Sequence, residues 1–238
     1  MGGRGQAKPK GETGRAMNDA SGSSGGGASI EDMRSNLRSR FGIVLDSSVN
    51  NLPVANVGAA CDGVELVLDD FPEAKSVVTV IDYTGDSYMA QYDPNTQSIH
   101  LGRVFSQESY KDFEDDIGDA KGTTAHETGH AVNFWIVSEQ SNSRMELADD
   151  WNNNRTARAI IAEGCREVQR GQNGRDAFGN RRNFDSIIGE TSYYAVSHDR
   201  GEALAESVGN YACKGEDAAP LSVAVHGIIK RKHDELTR

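Results

Sequence analysis

No run of about 18 apolar residues occurs anywhere in this sequence, so no membrane-spanning helix is expected. The N-terminus also lacks the apolar h-region of a secretory leader, which points to a cytoplasmic setting. Cysteine is scarce: Cys61, Cys165 and Cys213 are odd in number, widely spaced and form no C-x-x-C pair. That excludes a disulfide framework and a thiolate zinc site, and implies free buried thiols in a reducing compartment. Positive charge is in deficit too. The net charge of −11 argues against a nucleic-acid-binding face as the main business of the fold. Only the first residues run the other way, with Arg4, Lys8, Lys10 and Arg15 making a basic, solvated tail. No internal repeat is visible.

What is present is a soluble-protein composition, 37% hydrophobic and 26% charged over 238 residues, enough to bury a real core. Residues 1–29 are rich in Gly, Ser, Lys and Pro and end in "ASGSSGGGAS". Such a segment cannot bury enough apolar surface to offset its ordering entropy, so it reads as a disordered tail. It is a natural tether to a larger chain. A folded domain over 30–238 follows, opened by Ser29 as the cap of a short helix with Glu31 and Asp32 in its first turn.

Periodicity then predicts a strand over 41–46 and a helix over 52–72, with Val57, Cys61, Val64 and Leu68 on one face. Strands are expected at 76–82, 88–93 and 98–105, the last two joined as a hairpin by the turn residues "PNTQ". The acidic stretch "SQESYKDFEDDIGDAKG" lacks the ligand spacing and central Gly of an EF-hand, and reads as a solvated connection. Further helices are expected at 154–170, 200–213 and 219–235, with a Gly/Asn/Arg loop over 171–185. Strands early and helices late suggest an α+β fold.

The chemistry is concentrated in "TTAHETGHAVNFW", which carries His126, Glu127 and His130 as H-E-x-x-H. Positions i and i+4 of a helix lie one turn apart on one face, so the two imidazoles can converge on one ion. Glu127 is offset by about 100° around the axis, where a carboxylate can act as a base without being a ligand. Thr123 and Thr124 are N-cap candidates, Ala125, Val132 and Ile136 form an apolar back face, and Gly129 suggests close packing. One Zn²⁺ suits this donor set.

A catalytic zinc takes three protein ligands and one open position. "AVNFWIVSEQ" after His130 offers no third histidine, and no N-E-x-x-x-D pattern surrounds Asp150. Glu146, Glu163 and Glu167 are formal candidates. Glu202 is the preferred one, because Ala203, Leu204, Ala205 and Val208 around it suit an interior helix face. Glu206, one turn on, is placed to accept a ring N–H from a ligating histidine.

"GTTAHETGHAVN" followed by "SYYAVSHDRGEALAES" resembles the gluzincin domain of phage minor head (head morphogenesis) proteins and of anthrax lethal factor-like peptidases. The resemblance extends over about 40–213 through "FGIVLD", "FPEAKSVVTVID" and "SIHLGRVF". It departs from the family in Leu204, where an aromatic is usual, and in one extra residue between Tyr194 and Glu202. It implies a zincin-like fold, a small mixed sheet on the active-site helix with a helical C-terminal part. It also implies His126, His130 and Glu202 as ligands, Glu127 as general base, and either Tyr193 or Tyr194 as donor to the oxyanion. The activity implied is zinc-dependent endoproteolysis of a protein or peptide substrate, in host cytoplasm or virion and tied to capsid assembly. A structural assembly protein with a non-catalytic zinc and a host-directed effector peptidase are the alternatives. By analogy with zincins, the strand containing "SIHLGRV" is expected to be the substrate-binding edge.

Overall fold

Residues 28–108, 110 and 119–237 are described by the computed structural model of the chain. The expected disordered tail lies outside them apart from Ala28 and Ser29, as does the segment 111–118 of the acidic stretch.

Ser29 begins the first helix, α1 (Ile30–Phe41), through a reciprocal capping box: its side chain accepts from Asp32 N–H while the Asp32 carboxylate accepts from Ser29 N–H at 2.9 Å. The two-residue strand β1 (Val44–Leu45) follows, then α2 (Val54–Asp70), which buries Val57, Cys61, Val64 and Leu68 on its inner face as their spacing requires. A 3-10 turn over Pro72–Val77 takes up the first two residues of the strand expected at 76–82, and β2 runs over Val80–Tyr83. The hairpin is β3 (Ala90–Asp93) and β4 (Ser98–Leu101). Its turn is fixed by Asp93, whose carboxylate accepts Asn95 N–H at 2.8 Å and the Thr96 hydroxyl at 3.1 Å.

These strands form one mixed sheet in the order β1-β2-β4-β3. β1 pairs with β2 and β2 with β4 in parallel, and β3 pairs with β4 antiparallel. The fold class is α+β. One expectation is corrected here. β4, the strand containing "SIHL", is interior, paired on both sides, and the edges are β1 and β3. Order along the chain placed β4 next to the helix that carries H-E-x-x-H; the long-range β2–β4 pairing instead pushes the hairpin's first arm outward.

The remainder is helical: α3 (Ala120–Gln140), α4 (Arg144–Asn153), α5 (Arg155–Arg170), α6 (Phe184–Ile188), α7 (Tyr193–Ser197), α8 (Arg200–Lys214) and α9 (Pro220–Leu236). Thr123 and Thr124 lie inside α3 and do not cap it; Asp119 does, accepting Gly122 N–H at 2.6 Å. Thr124 instead donates to Ala60 O of α2 at 2.9 Å. α3 is buried along nearly its whole length because α2 and α8 clasp it. Glycines permit that approach. A Cβ at Gly63 would lie 2.2 Å from Lys121 O, one at Gly129 would lie 2.9 Å from Ala205 Cα, and one at Gly209 would lie 3.1 Å from His126 N. Gly129 of α3 thus faces α8, and Gly209 of α8 faces α3, so the two backbones nearly touch beside the histidines. The three cysteines are free, Cys61 and Cys165 buried and Cys213 partly so. No helix among the described residues is long and apolar enough to cross a membrane.

Candidate metal centre

α3 carries His126 and His130 on one face, and α8 crosses it with Glu202 opposite them. His126 Nε2 lies 3.1 Å from His130 Nε2 and 3.1 Å from Glu202 Oε2, and His130 Nε2 lies 3.4 Å from Glu202 Oε2. A tetrahedral ion with bonds of 2.0–2.1 Å spaces its ligand atoms about 3.3–3.4 Å apart. The triangle therefore has nearly the size such an ion dictates. Glu202 Oε2 is buried and has no hydrogen bond of good geometry despite its two close nitrogens, which is the signature of an acceptor aimed at something else. Two imidazoles and a carboxylate converging in this way can hold a metal ion, and among the described residues no other group of His, Cys, Asp and Glu does so.

The other formal candidates are accounted for elsewhere. Glu146 accepts Asn142 N–H at 2.8 Å ahead of α4, and Glu163 and Glu167 face Arg231 of α9. Glu206 stands behind the triangle with Oε1 3.3 Å from His126 Nδ1, on the ring edge away from Nε2. That is where a carboxylate fixes the tautomer and orientation of a ligating imidazole.

The electrostatics of the pocket are built for a cation. Burial pulls the His126 imidazole down, but Glu202 and Glu206, with Glu127 nearby, outweigh it and push its pKa up to about 10. Burial raises Glu202, yet His126 and His130 outweigh that and hold its carboxylate well below the usual range. A proton on His126 thus competes with a metal for the same place. Below a pKa of about 10 His126 carries a proton that the metal must expel, so at pH 7.5 binding is expected to release about one proton per ion from this ring. Titration calorimetry of Zn²⁺ in buffers of different ionisation enthalpy measures it. A buffer-independent enthalpy would contradict the arrangement.

Glu127 lies beside the triangle and outside it. Its Oε2 accepts Tyr92 N–H from the edge strand β3 at 2.7 Å, and Oε1 makes no hydrogen bond among the described residues. One oxygen is anchored to the sheet and the other is left for a second partner. Tyr92 is itself fixed by its hydroxyl donating to Val77 O at 2.8 Å. This backbone donor was not foreseen from sequence, since only sheet order brings it to the site.

The triangle forms the floor of a cleft of about 470 Å³. Tyr88, Ala90, Gln91 and Tyr92 of the hairpin arm line it, with Trp151 of α4 edge-on to the Tyr92 ring and Tyr194 of α7. Of the two tyrosines, Tyr194 is at the site, its ring centroid 6.2 Å from that of His126. Tyr193 is 86% exposed and does not line the cleft. Neighbouring residues of a helix project about 100° apart, so the turn that aims one phenol inward aims the other at solvent. Burial and the surrounding carboxylates, Glu202 and Glu127 foremost, raise the Tyr194 pKa, so its phenol keeps its proton at neutral pH. His198 stacks on Tyr194 with centroids 3.8 Å apart, and its Nδ1 faces Tyr194 O at 3.1 Å. Asp199 caps α8, accepting Gly201 N–H at 2.8 Å and Glu202 N–H at 3.2 Å. Neither residue points at the triangle, and the open side of the site faces the cleft.

Comparison with protein-family models, with curated proteins and with solved structures finds no match to this chain.

Proposed function

We propose that the chain is a zinc-dependent metalloendopeptidase of gluzincin type on a zincin-like fold. The observation that carries this reading is the tetrahedron-sized triangle of His126, His130 and Glu202 beside a carboxylate, Glu127, that is anchored by one oxygen only. Three ligands with an open side suit a catalytic site, where a structural zinc is closed by four. The residues nearest to supplying a fourth are engaged otherwise: His198 on Tyr194, Asp199 at the α8 cap, Glu206 behind His126. That favours catalysis over an assembly protein stapled by its metal.

Zinc bound there would polarise a peptide carbonyl and bring the pKa of water to about 7. The chain's own groups do the rest. β3 is an edge strand; its Tyr92 N–H is held by Glu127, and an extended peptide can add to its other outward-facing main-chain groups by hydrogen bonds. Glu127 takes a proton from the attacking water and later delivers it to the leaving amine. Tyr194 keeps its proton and donates a hydrogen bond through its phenolic O–H to the carbonyl oxygen as negative charge develops.

Incubation of the zinc-loaded chain with a random peptide library, read by mass spectrometry, tests the activity. Cleavage that stops with a chelator and returns with zinc is expected; an intact library would contradict the reading. Tyr194→Phe is expected to lower kcat about 10²–10³-fold with little change in KM, while Tyr193→Phe leaves both within about twofold. Equal losses in the two variants would remove the role given to Tyr194. Cleavage screens against capsid assembly proteins and against host lysate separate a role in phage head maturation from a host-directed one.

A further inference from the structure

Beyond Tyr194, on the side away from the metal triangle, lies a second hollow of about 310 Å³ between α5, α6 and the start of α8. Its floor is apolar, with Ile161, Ala162 and Phe184, and its rim carries Arg158, Arg200 and His198. In a chain of net charge −11, this small hollow carries two guanidinium groups against one carboxylate of its own lining, Asp199. Arg200 is partly neutralised by the exposed Asp185, 3.1 Å away. The fourth polar group of the rim, Asp199, has its Oδ1 taken by the α8 N–H groups. Arg158 has no ion-pair partner among the described residues, so its charge is uncommitted.

The hollow and the cleft share no lining residue and meet across one stacked pair of rings. His198 belongs to its rim and stacks on Tyr194 at 3.8 Å, and Tyr194 stands 6.2 Å from His126 between ring centroids. An extended peptide advances about 3.3 Å per residue. A peptide that leaves the triangle over Tyr194 would cross that stack within about three residues.

We propose that this hollow is a specificity subsite for an acidic substrate side chain, its carboxylate held by Arg158 and Arg200 and its methylenes lying on Ile161 and Phe184. The inference rests on the peptidase reading for its substrate class. Arginine suits the task because its planar fork binds a carboxylate through two parallel hydrogen bonds. The consequence is a peptidase that prefers acidic sequences despite its own negative charge.

The test uses binding, so that it stands apart from turnover. Zinc-loaded Glu127→Gln protein is titrated with two fluorescein-labelled alanine-rich decapeptides that differ only in three Glu against three Gln. Fluorescence anisotropy is expected to show the Glu peptide binding about tenfold tighter at 50 mM salt, with the gap shrinking at 0.5 M. In the Arg158→Ala/Arg200→Ala background the gap is expected to close. Should that double variant fail to fold, Arg158→Glu alone decides, by shifting preference from the Glu peptide to a Lys counterpart. Equal binding of the Glu and Gln peptides, or a preference that survives the arginine substitutions, overturns the proposal. An intact peptide library in the presence of wild-type chain would sink the peptidase reading instead, with the anisotropy comparison still deciding the subsite.

Discussion

Glu127→Gln is expected to keep its metal and lose its chemistry. The amide is nearly isosteric with the carboxylate, and its oxygen can still accept Tyr92 N–H, which the native Oε2 accepts at 2.7 Å. The fold and the ligand triangle therefore have no reason to change. What the amide cannot do is take up a proton, and general-base assistance contributes about 10²–10⁴-fold to such reactions. A fall in kcat of that size is expected, with metal content still about one ion per chain and the thermal midpoint within a few degrees of wild type. Measured together, kcat, metal content and midpoint separate a catalytic loss from a structural one. Undiminished cleavage in the variant would remove Glu127 from the mechanism while leaving the metal site intact.

The second large effect is on the metal itself. Glu202→Ala removes the only anionic ligand and leaves two imidazoles, so the ion is expected to be lost and all cleavage with it. Glu206→Gln keeps the triangle but weakens the contact that orients His126, so about 10–100-fold lower affinity is expected, with activity restored by excess zinc. A metal that binds only the native state stabilises it, so chelation is expected to lower stability as well. At free metal of about 100–1,000 Kd the linkage is roughly 2.7–4.1 kcal/mol, or about 5–16 °C in the midpoint for a chain of this size. Calorimetric scans with and without chelator measure it. Glu202→Ala should behave in both as the chelated wild type does. A variant that still binds one ion tightly would move the third ligand elsewhere.

The parts of this site that could be read from sequence share a physical feature: their geometry is local. His126 and His130 meet because a helix repeats every 3.6 residues, whatever packs around it. Glu202 and Glu206 were recognisable because Ala203, Leu204 and Ala205 beside them are apolar, and all three are fully buried, Ala205 against Gly129 of α3. Gly129 signalled the close approach that brings the two helices together, and a Cβ there would meet Ala205. The α2 face, the hairpin turn and the three late helices were legible for the same reason of periodicity and turn chemistry.

What could not be read depends on contacts distant in sequence. Nothing within "SIHL" says that it pairs with β2 as well as β3, so the edge was assigned to the wrong arm of its own hairpin. Once the sheet is assembled, Tyr92 N–H is the donor that reaches Glu127, an atom common to every residue and invisible to motif reading. α4 and its Trp151 escaped notice because Arg144–Asn153 buries no residue fully and so lacks a strong apolar stripe. Tyr193 and Tyr194 were indistinguishable until the short helix α7 set their directions.

The central claim is that one zinc ion sits between His126, His130 and Glu202 with a side open to the cleft. X-ray absorption at the zinc edge of the purified chain, with metal content measured on the same sample, tests it most directly. The expected result is one zinc per chain with two imidazole nitrogens and one carboxylate oxygen at about 2.0–2.2 Å, completed by a light, exchangeable ligand. That signal should be absent from His126→Ala. No bound zinc, four protein ligands, or full zinc in His126→Ala would contradict it.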